Sequence, residues 1–395
     1  MIDVLDLHLH SHFSIAASNR MTVDNILTFV KMKGITIIGT GDVLFNPWKL
    51  ELEKNLEQEG NGFYLFDKIR FILSSEINLI FEKCDKLRKV HLVLTFPSIK
   101  SVEKSRNLLR KFGNLETSSR PNIFIGGRQL VSILKNVDDD IQIIPAHIFT
   151  PWFGILGSKS GFDAIEDCFE ENTDKIFAVE TGLSADPGMC YRINSLRNFT
   201  TISNSDAHSP DQIGREATIF KDIKSYEDLF SVIKNYTPER FLFTLEYFPE
   251  EGKYFADGHR KCNFSVLPDS TSHLNCSVCG KPLTYGVFHR LLELSGNSYK
   301  NTLSKIKYFH TIPLKGIISQ VIHKSNKSLA VDREYKKAID IFKNEINILL
   351  FAKESDLISS LPIEIAEGII SIRNEKVIKF PGFDGEYGKI ILNYS

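Results

Sequence analysis

Between residues 1 and 247, short β-branched runs alternate with longer stretches of helical spacing. The runs cover residues 4–8, 35–39, 71–76, 90–95, 141–146, 176–180 and 200–204, and helical stretches at 23–33, 98–112, 129–135 and 189–196 lie between them. That alternation predicts an α/β fold with a mostly parallel sheet covered by helices. Seven strands come close to a closed barrel, in which functional side chains belong at the C-terminal strand ends.

The pattern breaks at YFPEEG (247–252), and a Gly-, Cys- and His-rich stretch follows to about residue 290. Beyond it, Tyr335, Ala338, Ile339, Phe342, Ile346, Leu349 and Leu350 share one helical face across residues 331–352. The glycines at 382, 385 and 388 predict a closing hairpin. These breaks divide the chain into a barrel (1–247), a small metal-binding unit (248–296) and a mainly helical C-terminal unit (297–395).

Composition refines this division. The 395 residues carry a net charge of -1, 42% hydrophobic and 25% charged residues, which excludes a disordered chain or a disulfide scaffold. The N-terminus lacks a basic start followed by an apolar stretch, and no run reaches the length of a membrane span, so a cytoplasmic protein with no membrane partner is expected. The neutral total hides segregation: residues 253–353 hold 16 Lys and Arg against 7 Asp and Glu, while residues 1–247 hold 28 against 33. A basic second half suits phosphate-rich partners.

Each candidate strand ends in, or near, a side chain able to hold a metal. His8 and His10 stand two apart, so an extended strand turns both imidazoles to one side. Later runs lead to Asp42, Glu76, His91, His147 and Glu180, and the last runs into Asp206 and His208. A lone histidine is more often a hydrogen-bonded core residue, and a lone strand-end carboxylate more often a cap. Seven strands ending this way together point instead to two or three Zn, Mg or Mn ions. Such ions would activate water for attack on a phosphoester, with Asp206, His208 and Glu76 at the reacting centre. Lys159, then Arg215, then Arg128 are candidates for a cation facing the leaving oxygen.

The cysteines divide unevenly. Cys84, Cys168 and Cys190 are isolated, whereas Cys262, Cys276 and Cys279 cluster. The sequence CSVCGKPL has a zinc-knuckle shape, with Gly280 at the turn, and needs two more ligands. Cys262 is one. His259 is assigned as the other, giving HxxC and CxxC, with His273 as its competitor and a helix of GVFHRLLELS behind the ion.

The order of HxH, strand-end acid, Glu, single histidines and DxH resembles the polymerase and histidinol phosphatase (PHP) superfamily, whose members are distorted seven-stranded barrels that hydrolyse phosphoesters. His8, His10, Glu76, His91, His147, Asp206 and His208 match its pattern. Asp42 stands where many members carry histidine, and Ile15, Ala16 and Ala17 occupy a stretch where a further ligand is common. PWFGILGSKSGFD, VETGLSADPGM, GKYFADGHRKC, CSVCGKPLTYGVFHR and FDGEYGK resemble the endonuclease Q family over essentially the whole chain. That resemblance implies a DNA repair endonuclease cutting 5′ to uracil, hypoxanthine, xanthine or abasic sites. Its DNA partner would meet Lys300, Lys305, Lys307, Lys315, Lys324 and Lys327, with Trp152, Phe153 or Tyr254 beside an extruded base. A small-molecule phosphatase or nucleotide phosphoesterase using the same ions is the alternative, and a nonenzymatic nucleic-acid binder would not need the ligand set. No peptide for a replication clamp stands out.

Overall fold

A computed structural model describes residues 1–268, 275–296 and 303–393. The first unit runs β1 (Ile2–Asp6), α1 (Val23–Lys33), β2 (Ile37–Gly39), α2 (Asn46–Asn55), β3 (Glu57–Gln58), β4 (Tyr64–Phe66), β5 (Ile69–Lys83), β6 (Lys86–Phe96), α3 (Ile99–Leu109), β7 (Asn122–Ile123), α4 (Gly127–Val137), β8 (Gln142–Pro145), α5 (Glu166–Phe169), β9 (Ala178–Glu180), α6 (Pro187–Cys190), β10 (Thr200–Ile202), β11 (Ala217–Lys221), α7 (Tyr226–Asn235) and β12 (Phe241–Tyr247). All seven apolar runs are strands: β1, β2, β5, β6, β8, β9 and β10.

They close on themselves. β1 pairs with β2 and β2 with β5 in parallel. β6 is antiparallel to both β5 and β8. β9 and β10 form a parallel pair, and the chain after β10 returns to the first strand through a bridge of Leu9 with Ala207. One strand of the seven is therefore reversed. The cause is local: Cys84 and Asp85 both adopt left-handed φ (51° and 55°), making a two-residue turn that folds β5 back as a hairpin. β11 and β12 continue the sheet beyond β1 in antiparallel fashion.

The helices follow the sequence rules where caps are present. α1 starts at Thr22, whose hydroxyl accepts from Asn25 N, and stops at Gly34 with φ 90°. It buries Val23, Ile26 and Val30. The helix expected over 189–196 exists only as the short α6 and a 3-10 turn (Asn194–Asn198), because Ile193 is extended between them.

The second unit holds β13 (Asp257–His259), β14 (Phe264–Val266) and α8 (Val287–Ser295). The third begins with β15 (Tyr308–Thr311), which pairs with β12 and so extends the barrel's own sheet. α9 (Leu314–Val321), α10 (Leu329–Phe342), α11 (Glu354–Ser360) and α12 (Ile363–Arg373) share a separate core with Phe248, Ile390 and Leu392. β16 (Val377–Phe380) and β17 (Lys389–Leu392) form the closing hairpin. Among the described residues no helix is long and apolar enough to cross a membrane.

Candidate metal centre

The strand ends deliver their side chains to one place. His8 and His10, just past β1, are fully buried, and Glu76 projects from the middle of β5 between them. One Glu76 oxygen lies 2.5 Å from His91 Nδ1, 3.4 Å from His147 Nε2 and 3.7 Å from His8 Nε2. The other lies 3.4 Å from His10 Nε2 and 3.1 Å from Arg120. Asp206 Oδ1 sits 3.2 Å from His10 Nε2 and 3.5 Å from His8 Nε2. Three donor groups result: His8, His10 and Glu76; Glu76, His91 and His147; His10, Asp206 and His208. Glu76 belongs to two of them and His10 to two.

These sets fit divalent ions. His8 Nε2 is buried without a hydrogen-bond partner, an arrangement costly unless something else occupies it. Mixed imidazole and carboxylate donors suit Zn or Mn. Asp42, His147 and Asp206 all take left-handed φ (49°, 31° and 46°) in the turns that follow their strands. Gly182, with φ 72°, lies where a Cβ would come 2.5 Å from that of His147.

Two expected ligands stand one layer back. Asp42 points one oxygen at His10 Nδ1 (3.2 Å), while the other accepts from Ser11 N (2.8 Å) and Ser11 Oγ (2.7 Å). Glu180 meets His8 Nδ1 through both oxygens (3.1 and 3.0 Å) and accepts from His147 N and Asn204 Nδ2. Each carboxylate thus faces the Nδ1 of an imidazole and orients the ring so that its Nε2 points to the donor groups.

Charge follows this geometry. Burial disfavours the His8 imidazolium, but Glu180 and Asp206 outweigh it and raise the group well above its ordinary value. Against the same penalty, Asp206 and Asp42 lift His10 to about 9. Burial dominates at His91 and pulls it down to about 4, so its lone pair is available at neutral pH. Burial opposes ionisation of Glu76 and Asp206, yet the surrounding imidazoles hold both low.

The three candidate cations lie elsewhere. Lys159 is exposed, its ammonium 5.9 Å from the Tyr285 ring. Arg128 pairs with Glu170 and Glu171 on the outer surface. Arg215 is buried behind the centre and donates to the carbonyls of Ser205 (2.8 Å) and Asp206 (3.3 Å), so it fixes the turn that carries Asp206. Arg120, from the loop before β7, is a cation that does reach the centre, on Glu76. Nothing in SSRPN marked it except an arginine before a proline. Beside it opens a cleft of about 510 Å³.

The cysteine unit gathers His259, Cys262, Cys276 and Cys279, with His259 Nδ1 3.4 Å from Cys279 Sγ. His273 lies outside the described residues. No disulfide forms among the six cysteines. Burial acts to raise the Cys276 thiol, but the amides of Val278 and Cys279 and the His259 ring outweigh it and bring it down to about 7, towards the thiolate a zinc ion requires. Gly280 takes φ 71° at the knuckle turn. α8 ties this unit to the barrel through Arg290, which donates to Leu156 O and Phe162 O (both 2.9 Å).

Residues 191–238 match the family described as PHP-associated, and residues 313–376 match the MJ0043 C-terminal domain. The chain is 27% identical to Uncharacterized protein YqxK of Bacillus subtilis over 98% of both chains. It is 34% identical to Uncharacterized protein MJ0043 of Methanocaldococcus jannaschii over 68% of its own length, spanning 35% of that protein. The lesion-specific endonuclease PfuEndoQ of Pyrococcus furiosus is 30% identical and superposes with a TM-score of 0.88 over 99% of this chain and 96% of its own. An endonuclease Q bound to a 27-mer duplex with an abasic lesion at its active site matches at 30% identity and TM-score 0.89, over 100% and 97%. Barrel, donor groups and matches together define a metal-binding hydrolase with a PHP fold. Within that class the chain belongs to the endonuclease Q family, and it is an enzyme of the nuclease type.

Proposed function

We propose that this protein is a DNA repair endonuclease that hydrolyses the phosphodiester 5′ to deaminated bases (uracil, hypoxanthine, xanthine) and abasic sites. The observation that carries the reading is Glu76, a buried carboxylate shared between two donor groups, with Arg120 on its second oxygen and an open cleft beside them. Divalent ions bound there supply an activated water and a counter-charge for the phosphate. The chain's own residues do the rest. Glu180 and Asp42 orient the imidazoles of His8 and His10. Arg215 holds the Asp206 turn by its carbonyls. Arg120, which lines the cleft, offers a guanidinium to a phosphate oxygen, where charge builds as the bond breaks.

The basic arm supports a duplex as substrate. Lys324 and Lys327 are exposed in the loop between α9 and α10, and Lys305 and Lys307 are exposed before β15. Lys315 is committed to Asp211 (3.1 Å) and Asp332 (2.7 Å), and Lys300 lies outside the described residues. The test uses labelled duplexes that differ by a single uracil, hypoxanthine or abasic site, with Mg or Mn present. Cutting confined to the lesion strand, 5′ to the lesion, is the expected result. Equal cutting of undamaged duplex, or turnover of small phosphate esters alone, would sink the reading.

A further inference from the structure

Lys315 stands among the lysines of the basic arm, yet its place in the fold gives it a task inside the protein. It is the second residue of α9, and the start of that helix is fixed to the barrel. Glu345 accepts from the Leu314 amide (2.9 Å) and pairs with Lys33 of α1 (2.7 Å), and both side chains of that pair are buried. From this anchor Lys315 places its ammonium between Asp332 of α10 (2.7 Å) and Asp211 of the barrel (3.1 Å), 5.2 Å from the centre of the Tyr335 ring. Arg20, on the loop between β1 and α1, approaches the other Asp211 oxygen at 3.9 Å. A lone exposed ion pair contributes little, but a network whose members are held in advance loses less entropy in forming. Asp211 in turn belongs to the turn behind a metal donor. It lies in a 3-10 turn (Pro210–Gln212) that begins two residues after His208. Gln212 of that turn reaches back, its Oε1 accepting from His208 N (2.8 Å), while His208 O accepts from Ser18 N (2.7 Å) on the Arg20 loop. The His208 backbone is thus held between two segments that meet again at Asp211.

We infer that Lys315 is a positioning residue for the donor group of His10, Asp206 and His208: through Asp211 it fixes the 208–212 turn from the helical unit and so sets His208 for an ion. This rests on the metal-ion reading of the site above. With two carboxylates on its ammonium, Lys315 offers no free charge to a DNA phosphate, in contrast to Lys324 and Lys327. The helical unit therefore takes part in metal binding, because the affinity of one ion depends on α9 being docked.

Two substitutions remove the contact from either side: Lys315→Met keeps the stem without the charge, and Asp211→Asn keeps the shape of its partner. Manganese(II) alone is titrated calorimetrically into the full-length wild type and variants, without DNA. In each variant one Mn site weakens by about fivefold or more, less than the roughly 10–100-fold of groups that touch a ligand directly. The double variant weakens it no further than the stronger single one, since both lose the same contact. In an Asp206→Asn background, where that donor group is already broken, Lys315→Met changes Mn binding no further. Duplex affinity and its salt dependence stay at wild-type values, whereas loss of a phosphate contact would lower the salt slope by about one. Mn affinity within about twofold of wild type in both single variants overturns the inference, whatever happens to duplex affinity. So does an equal weakening of every Mn site together with a lower Tm, which would make Lys315 a structural tie only. A wild type that binds no Mn overturns the metal reading along with the inference, and one that binds Mn but cuts no lesion duplex sinks the endonuclease reading alone.

Discussion

Asp206 carries a charge shared by His8 and His10 on a backbone held at φ 46°. Asparagine tolerates that conformation and keeps the shape, so Asp206→Asn isolates the charge. Cleavage should fall by at least about 10²–10³-fold while duplex affinity, read by fluorescence anisotropy, persists; a variant that still cuts would deny Asp206 its place at the ions. Glu180→Gln tests the layer behind. Losing the carboxylate on His8 Nδ1 should weaken divalent-ion affinity by about 10–100-fold in calorimetry. At this scale the sequence disclosed the chemistry better than its arrangement. Two-apart histidines and strand-end acids identify the donor pool, because a strand's period turns alternate residues to one side. They do not say which way a carboxylate rotates, so Asp42 and Glu180 read as ligands although they hold imidazoles. Arg120 escaped because a single cation on a loop has no period.

Elements were legible wherever a cap or a period defined them, as for α1 between Thr22 and Gly34. The seven barrel strands were found, but not the reversal of β6, since parallel and antiparallel buried strands share one apolar signature and only the positive φ of Cys84 and Asp85 decides. The long helix read over 331–352 breaks at Lys343, which takes φ 78° without glycine or proline to announce it, while the Asn344 side chain accepts from Asn347 N to start the next turn. Lys343→Gly should relieve that backbone and stabilise the protein by about 1 kcal/mol, seen as a higher midpoint in urea. An unchanged or lower midpoint would mean that the lysine stem contributes more than its backbone costs. For the knuckle, Cys276→Ser should remove one zinc per chain by metal analysis and lower Tm, because ligand binding there is folding energy.

The three units form one molecule through a few buried polar couplings. Lys33 of α1 pairs with Glu345 at 2.7 Å, and Glu345 also accepts from Tyr335 (2.8 Å) and from the first amide of α9. Arg290 joins the cysteine unit to the barrel loop beside Phe153. His310 on β15 lies between Asp186 of the barrel (3.1 Å) and Glu375 after α12 (2.9 Å), stacked on Phe248. Burial opposes its charge, but those two carboxylates prevail and raise it to about 9. Unfolded histidine titrates near 6.5. Below about 6.5 both states are protonated and the coupling stabilises in full; between about 6.5 and 9 only the native state keeps the proton, so stability must decline as pH rises. His10 is raised to about 9 as well and contributes in the same window, so the readout is the difference between proteins. His310→Gln keeps a donor but not the charge, and urea midpoints measured across that window should give a shallower slope than wild type. Equal slopes would remove His310 as the pH-dependent tie between barrel and helical unit.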